Sequence, residues 1–191
     1  MNRVLLLSPY SGALSATIRG AGDQVMIASP ETDPLNWPLV DFVVLFGWKN
    51  IIKEPWLNKY KGRMINIHGS YLPWNRGAYP NLFSWVYRTK KGASIHYVDE
   101  KIDMGNIIVR QEVDFKDAPH TTLESSYNAI KIECERLFER AWPTIRKGDV
   151  GGMKQEPNLG SFHTKAEALP IIEALPNGWA TPVSRIECRS A

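Results

Sequence analysis

The chain has 191 residues, 43% hydrophobic and 23% charged, which describes one soluble globular domain with a small appendage and excludes a disordered chain. Its 23 basic and 20 acidic residues leave a net charge of +3, too small and too scattered for a nucleic-acid-binding surface, and the mild cluster Lys49, Lys53, Lys59, Lys61 and Arg63 reads as a solvated face. The two cysteines, Cys134 and Cys188, form no disulfide framework and have no Cys/His neighbours suited to zinc, so no metal is expected and a reducing cytoplasm fits best.

The apolar run Val4-Leu5-Leu6-Leu7 is only strand-length. With no cleavage site and no apolar stretch of about 20 residues after it, neither a signal peptide nor a membrane span is expected. Its continuous apolar character predicts a buried parallel strand over residues 3–8. A loop at 8–12, a short helix at 13–19 and a second strand at 24–28 follow. Pro30, Pro34 and Pro38 predict an irregular crossover over 29–39. A third buried strand over 41–46 ends at Gly47, and Pro55 starts a short helix running to residue 60.

Residues 63–80 are the stretch around which the rest is organised. Met64, Asn66 and His68 point to one face of a strand and Ile65 and Ile67 to the other, because successive side chains alternate. The strand then breaks into a loop holding Gly69, Pro73, Gly77 and Pro80, a composition suited to unusual backbone dihedrals. A strand that delivers Asn and His into such a loop at its carboxyl end is how an open α/β sheet builds an active site.

Leu82, Phe83, Val86 and Tyr87 predict a helix over 80–89 started by Pro80. Strands at 93–98 and 106–113 are joined by a turn at 99–105, which Gly105 allows to be tight. Thr121 or Thr122, with Ser125, caps a long helix that carries Leu123, Tyr127, Ile130, Cys134, Leu137, Phe138, Ala141 and Trp142 on one side and ends before Gly148. Cys134 is then a core residue. One more helix at 165–175 and an extended stretch at 181–183 complete the chain.

Several separated motifs, in order, carry a resemblance. They are Asn66-Ile67-His68, Ser70-Tyr71-Leu72-Pro73 with Arg76-Gly77, residues 94–100, and Ile102-Asp103-Met104-Gly105-Asn106-Ile107-Ile108. Together they resemble the formyltransferase family, which includes glycinamide ribonucleotide, methionyl-tRNA and sugar N-formyltransferases. The similarity runs from about residue 42 to residue 113 and continues weakly through the long helix. Within the family, Trp74-Asn75-Arg76-Gly77, Pro80-Asn81 and the terminal Gly178-Trp179 with Thr181-Pro182-Val183 look most like small bacterial enzymes that formylate amino sugars. The resemblance implies an α/β, Rossmann-like, mainly parallel twisted sheet flanked by helices, with the Asn66 strand central and the last strands at an edge or in a small C-terminal subdomain. It also divides the chain into a catalytic domain over 1–150, with a shortened N-terminal half, and a C-terminal extension over 151–191 packed on it.

Formyl transfer to an amine passes through a tetrahedral intermediate with a negative oxygen and a positive nitrogen. The amide of Asn66 suits the oxyanion. His68, on the same face, can donate to that oxygen or accept the amine proton. Asp103, on the facing turn, can orient or charge His68 and take the departing proton. The family's catalytic set matches Asn66, His68 and Asp103. Taken singly, each has a plain structural explanation: a satisfied strand-end histidine, a loop brace, a turn aspartate. Together, beside a Gly/Pro loop, they read as a site. His96 reads as structural.

The resemblance implies 10-formyltetrahydrofolate as the donor. Its flat pterin suits a cleft with apolar walls and backbone hydrogen bonds. One wall is assigned to Gly47, Trp48, Asn50, Ile51 and Ile52, and the other to Val98 and Ile102. Tyr10, Ser70, Arg76, Tyr79 and His163 are assigned to the acceptor. The partner is a small-molecule amine, with no nucleic acid and no membrane, and a homodimer is left open.

Departures from the family pattern narrow the acceptor. Gly69 stands where Pro is common and Met104 where Thr or Gly is usual. The front half is short, and the loop at 8–12 lacks the Gly-Ser-Asn pattern that holds a phosphate in glycinamide ribonucleotide enzymes. The chain has neither the large C-terminal domain and basic surface expected for tRNA nor the extra N-terminal domain of formyltetrahydrofolate deformylases. An amino sugar, free or nucleotide-linked, is the acceptor class that remains. Hydrolysis of formyltetrahydrofolate and non-catalytic folate binding are the alternatives.

Overall fold

The computed structural model describes residues 1–28, 39–116, 118, 120–148 and 150–186. The crossover expected over 29–39 lies outside the described residues except at its last position, as does Cys188. The elements in chain order are β1 (Arg3–Leu7), α1 (Ser11–Gly20), β2 (Gln24–Ala28), β3 (Phe42–Phe46), α2 (Trp56–Lys59), β4 (Met64–His68), β5 (Arg76–Gly77), α3 (Pro80–Val86), β6 (Gly92–Tyr97), β7 (Ile107–Glu112), α4 (Leu123–Ile145), β8 (Phe162–His163) and α5 (Lys165–Glu173), with short 3₁₀ turns at Gly178–Ala180 and Val183–Arg185.

Six strands form one sheet in the order β2-β1-β3-β4-β6-β7. The pairs of β1 with β2, β1 with β3 and β3 with β4 are parallel, whereas β4 with β6 and β6 with β7 are antiparallel. The sheet is therefore mainly parallel, with its antiparallel strands at one edge and β4 in the interior.

The continuous apolar strands are explained by cover on both faces. Val4, Leu6, Phe42, Val44, Phe46, Ile65 and Ile67 pack with Leu14 and Ile18 of α1 and Ile130, Cys134, Phe138 and Trp142 of α4. Leu5, Leu7, Val43, Leu45 and Met64 pack on the other side with Ile52, Trp56 and Tyr60. Alternation along β4 thus sends Ile65 and Ile67 toward α4, and puts Asn66 and His68 on the side of Met64.

A second, two-stranded sheet was not legible in the sequence: β5, in the loop after β4, pairs in parallel with β8, which follows α4 in the chain. The helix expected over 80–89 stops at Val86, because Arg88 takes a left-handed φ of 51°. There the ammonium of Lys91 donates to Ser84 O and Thr89 O, at 2.9 and 3.0 Å.

Candidate active site

β4 ends in a loop anchored from the strand beside it. Ser94 lies opposite His68 in the β4/β6 register. Its hydroxyl donates to Ser70 O (2.7 Å) and accepts from Leu72 N (3.1 Å). The same register sets His96 opposite Asn66, on the same face.

Asp103 comes to these residues from the turn between β6 and β7, at a left-handed φ of 52°, a conformation that costs a non-glycine residue about 1–2 kcal/mol. Its carboxylate is surrounded. Oδ1 accepts from Asn66 Nδ2 at 3.1 Å and lies 3.3 Å from His96 Nε2. Oδ2 accepts from Gly77 N at 2.8 Å and lies 3.7 Å from His68 Nδ1. Burial by itself would raise this carboxyl. Attraction to the His68 ring, the hydrogen bond and attraction to the His96 ring, and the Gly77 N–H outweigh burial and hold the group well below the usual carboxylate range.

Backbone carbonyls fix which nitrogen of each histidine is left facing the cluster. His68 Nε2 donates to Asn75 O at 3.0 Å, so Nδ1 is the nitrogen that faces Asp103. His96 Nδ1 donates to Tyr97 O at 2.8 Å, so Nε2 faces Asn66 and Asp103. Asn66, His68 and Asp103 are therefore brought together as expected. His96 joins them in a position that sequence reasoning had read as structural. Only knowledge of the β4/β6 register would have placed it there.

Three of the apolar residues assigned to the donor gather on the same side of the sheet. Trp48, Ile52 and Val98 pack on the core face that includes Met64. Ile51 and Ile102 are left 64% and 43% exposed. The buried indole N–H of Trp48 has no partner among the described residues. Gly47 adopts φ 66°, and a Cβ there would come within 2.9 Å of the Tyr10 ring. Asn50 is exposed.

The residues assigned to the acceptor are placed less uniformly. Tyr10 packs on the α4 side, where its hydroxyl shares a 2.9 Å hydrogen bond with Tyr127, so it is not brought to the cluster. Ser70 donates to Trp74 O at 2.6 Å and braces the loop. Arg76 is buried and donates to Leu159 O (3.0 Å), Ser161 O (3.3 Å) and the sulfur of Met104. Burial lowers its guanidinium from the usual value, and the Asp103 charge opposes that shift. Tyr79 takes φ 51° and stacks on Trp179 at 6.1 Å. His163 is buried, its ring stacked on Phe83 (4.0 Å) and Tyr87 (4.9 Å).

The family model described as Formyl transferase matches residues 30–141. Over nearly its whole length the chain is also similar to a solved structure, the formyltransferase PseJ from Anoxybacillus kamchatkensis. The two are 35% identical with a TM-score of 0.91, covering 99% of this chain and 100% of that one.

The chain belongs to the formyl transferase family. Its sheet and flanking helices are the formyltransferase fold. Among curated relatives, it is 33% identical over 123 residues to the methionyl-tRNA formyltransferase of Fusobacterium nucleatum, a match covering 64% of this chain and 39% of that protein. It spans about two fifths of that relative's length. The N-formyltransferase from Helicobacter canadensis, at 16% identity and a TM-score of 0.68 over 86% of this chain and 71% of that one, shares the fold. Among the described residues, no helix is long and apolar enough to cross a membrane, and no group of three or more His, Cys, Asp or Glu side chains is arranged to hold a metal ion.

Proposed function

We propose that this formyltransferase moves a formyl group from 10-formyltetrahydrofolate to the primary amine of a nucleotide-linked amino sugar. The observation that carries the reading is the carboxylate of Asp103 held between Asn66, His68 and His96 at the carboxyl end of β4. The full-length similarity supports the choice of substrates. The Anoxybacillus PseJ structure holds UDP-4,6-dideoxy-4-formamido-L-AltNAc and tetrahydrofolate, and the Helicobacter canadensis structure holds folinic acid and dTDP-3-aminofucose.

The donor is assigned to Trp48, Ile51, Ile52, Val98 and Ile102, of which Ile51 and Ile102 leave apolar area exposed and Trp48 has an indole N–H with no partner among the described residues. When bound, the donor supplies an electrophilic formyl carbon. As the amine nitrogen bonds to that carbon, an N–H of Asn66 stabilises the oxygen that becomes negative. His68 Nδ1 takes the proton leaving the nitrogen, and ionised Asp103 stabilises the resulting imidazolium; the intermediate then collapses, the bond between the formyl carbon and the folate nitrogen breaks, and that nitrogen takes up the proton as tetrahydrofolate leaves.

The test is incubation with 10-formyltetrahydrofolate and the 4-amino counterpart of the sugar nucleotide in the PseJ structure. Tetrahydrofolate release and the mass of the sugar are followed together. One formylated sugar per tetrahydrofolate is expected. Formate release independent of the sugar would overturn transfer in favour of hydrolysis. Folinic acid is expected to raise the melting temperature, because a ligand bound only by the folded state stabilises it.

A further inference from the structure

The turn carrying Asp103 has little of its own to hold it. Residues 99–102 are exposed, and within the turn the Met104 N–H donates to Lys101 O at 3.2 Å. Yet the carboxylate must keep four partners at once, and a misplacement of about 1 Å at a reacting group costs about 100-fold in rate. The restraint comes from the segment after α4. Gln155 Nε2 donates to Asp103 O and to Gly105 O, both at 2.8 Å, gripping the turn on either side of Met104.

Gln155 is itself placed with care. Met153 and Ile107 exchange backbone hydrogen bonds of 2.8 and 2.9 Å, which seat the segment against the start of β7. A Cβ at Gly152 would lie 3.1 Å from Ile107 O, so this segment runs close against the backbone at the start of β7. The Gln155 side chain is buried and its Oε1 has no partner among the described residues. An amide that leaves its acceptor unsatisfied is held there through its two N–H groups.

We propose that Gln155 is a positioning residue for formyl transfer, fixing the backbone of Asp103 so that its carboxylate meets Asn66, His68 and His96 together. This rests on the reading of Asp103 as part of the catalytic set. Gln155 acts through Asp103 and touches no reacting atom.

The test compares Gln155→Met, which keeps the volume but removes both donors, with the wild type in the full chain. With the 4-amino sugar nucleotide and 10-formyltetrahydrofolate, kcat is expected to fall by roughly 30- to 100-fold. KM for the sugar and the affinity for folinic acid should stay within about threefold. In an Asp103→Ala background the same substitution should cost less than about threefold further, because two residues acting as one unit are not additive. Wild-type kcat in Gln155→Met, or an undiminished loss in the Asp103→Ala background, would overturn the proposal. Should Gln155→Met not fold, Gln155→Asn, too short to reach both carbonyls, carries the same comparison. If the wild type transfers no formyl group, the functional reading fails by itself. The imidazole ¹⁵N signals of His68 and His96 then decide the positioning: displaced signals in Gln155→Met uphold it, and unchanged signals overturn it.

Discussion

Asn66 has two amide protons, and both Asp103 Oδ1, at 3.1 Å, and His96 Nε2, at 3.2 Å, face its nitrogen. With an unprotonated His96 Nε2, both protons are occupied. A proton on that nitrogen would go to Asp103 instead and release one Asn66 N–H for the developing oxyanion. His96 thereby bears on how Asn66 can work. Asn66→Ala is expected to lower kcat by about 100- to 1,000-fold with little change in folinic acid affinity, as measured by single-turnover kinetics and titration calorimetry. Asp103→Asn keeps the shape and removes the charge. Because the carboxyl is held below its ordinary value when folded, its ionised form stabilises the fold above the unfolded value of about 3.9, and that contribution is lost as pH falls toward the folded value. The melting-temperature gap between wild type and Asp103→Asn should therefore be full at neutral pH and narrow below about pH 4.

Among the elements, α4 does the most to support the sheet. Its buried stripe of Ile130, Cys134, Leu137, Phe138 and Trp142 covers the face of β4 opposite the site, so any tilt of the helix would be felt behind Ile65 and Ile67. Both of its ends are tied. At the start, the Thr122 hydroxyl accepts from Ser125 N at 3.1 Å while Ser125 Oγ accepts from Thr122 N at 2.8 Å, a reciprocal capping box. Just past the end, Arg146 donates to both oxygens of Asp23 at 2.6 and 2.5 Å, joining the helix to the turn before β2. Thr122→Ala is expected to cost about 1 kcal/mol, read as a melting temperature lower by about 2–4 °C for a chain of this size. Asp23→Ala leaves a charged donor without its carboxylate and should cost more, about 1.5–3 kcal/mol in a denaturant titration.

For the whole molecule, the segment after α4 frames the loop after β4. Pro73 O accepts from Ser161 N at 3.2 Å, Arg76 N donates to Ser161 O at 3.0 Å and Ala78 N donates to His163 O at 2.8 Å. Asn75, at φ 56° and fully buried, is held by Ser161 Oγ, which accepts from its N–H at 2.9 Å. Gly160 permits the approach, with φ 93° and a hypothetical Cβ only 2.0 Å from Pro73 O. Gly160→Ala must therefore strain the backbone and push the loop away from that segment. A loss of at least about 1 kcal/mol in stability is expected, together with a lowered kcat, because His68 Nε2 is anchored to Asn75 O in that loop. A variant with normal stability and normal kcat would show that the contact is dispensable.

The amino-acid sequence by itself determined the strands of the larger sheet and the long helix, since a continuous apolar run can persist only where both faces are covered, as in β1 and β3. It also determined that Asn66 and His68 share a face, which follows from alternation alone, and it marked Asp103 through the family motif. Only the tertiary structure decided which side chains complete the cluster. His96 enters through antiparallel pairing with β4, and Gln155 and Ser161 arrive from far along the chain. Local periodicity reports which face a residue occupies and carries no information about which distant segment will be pressed against that face. That is decided by strand register and by backbone approaches such as those at Gly105 and Gly160, which exist only once the chain has folded.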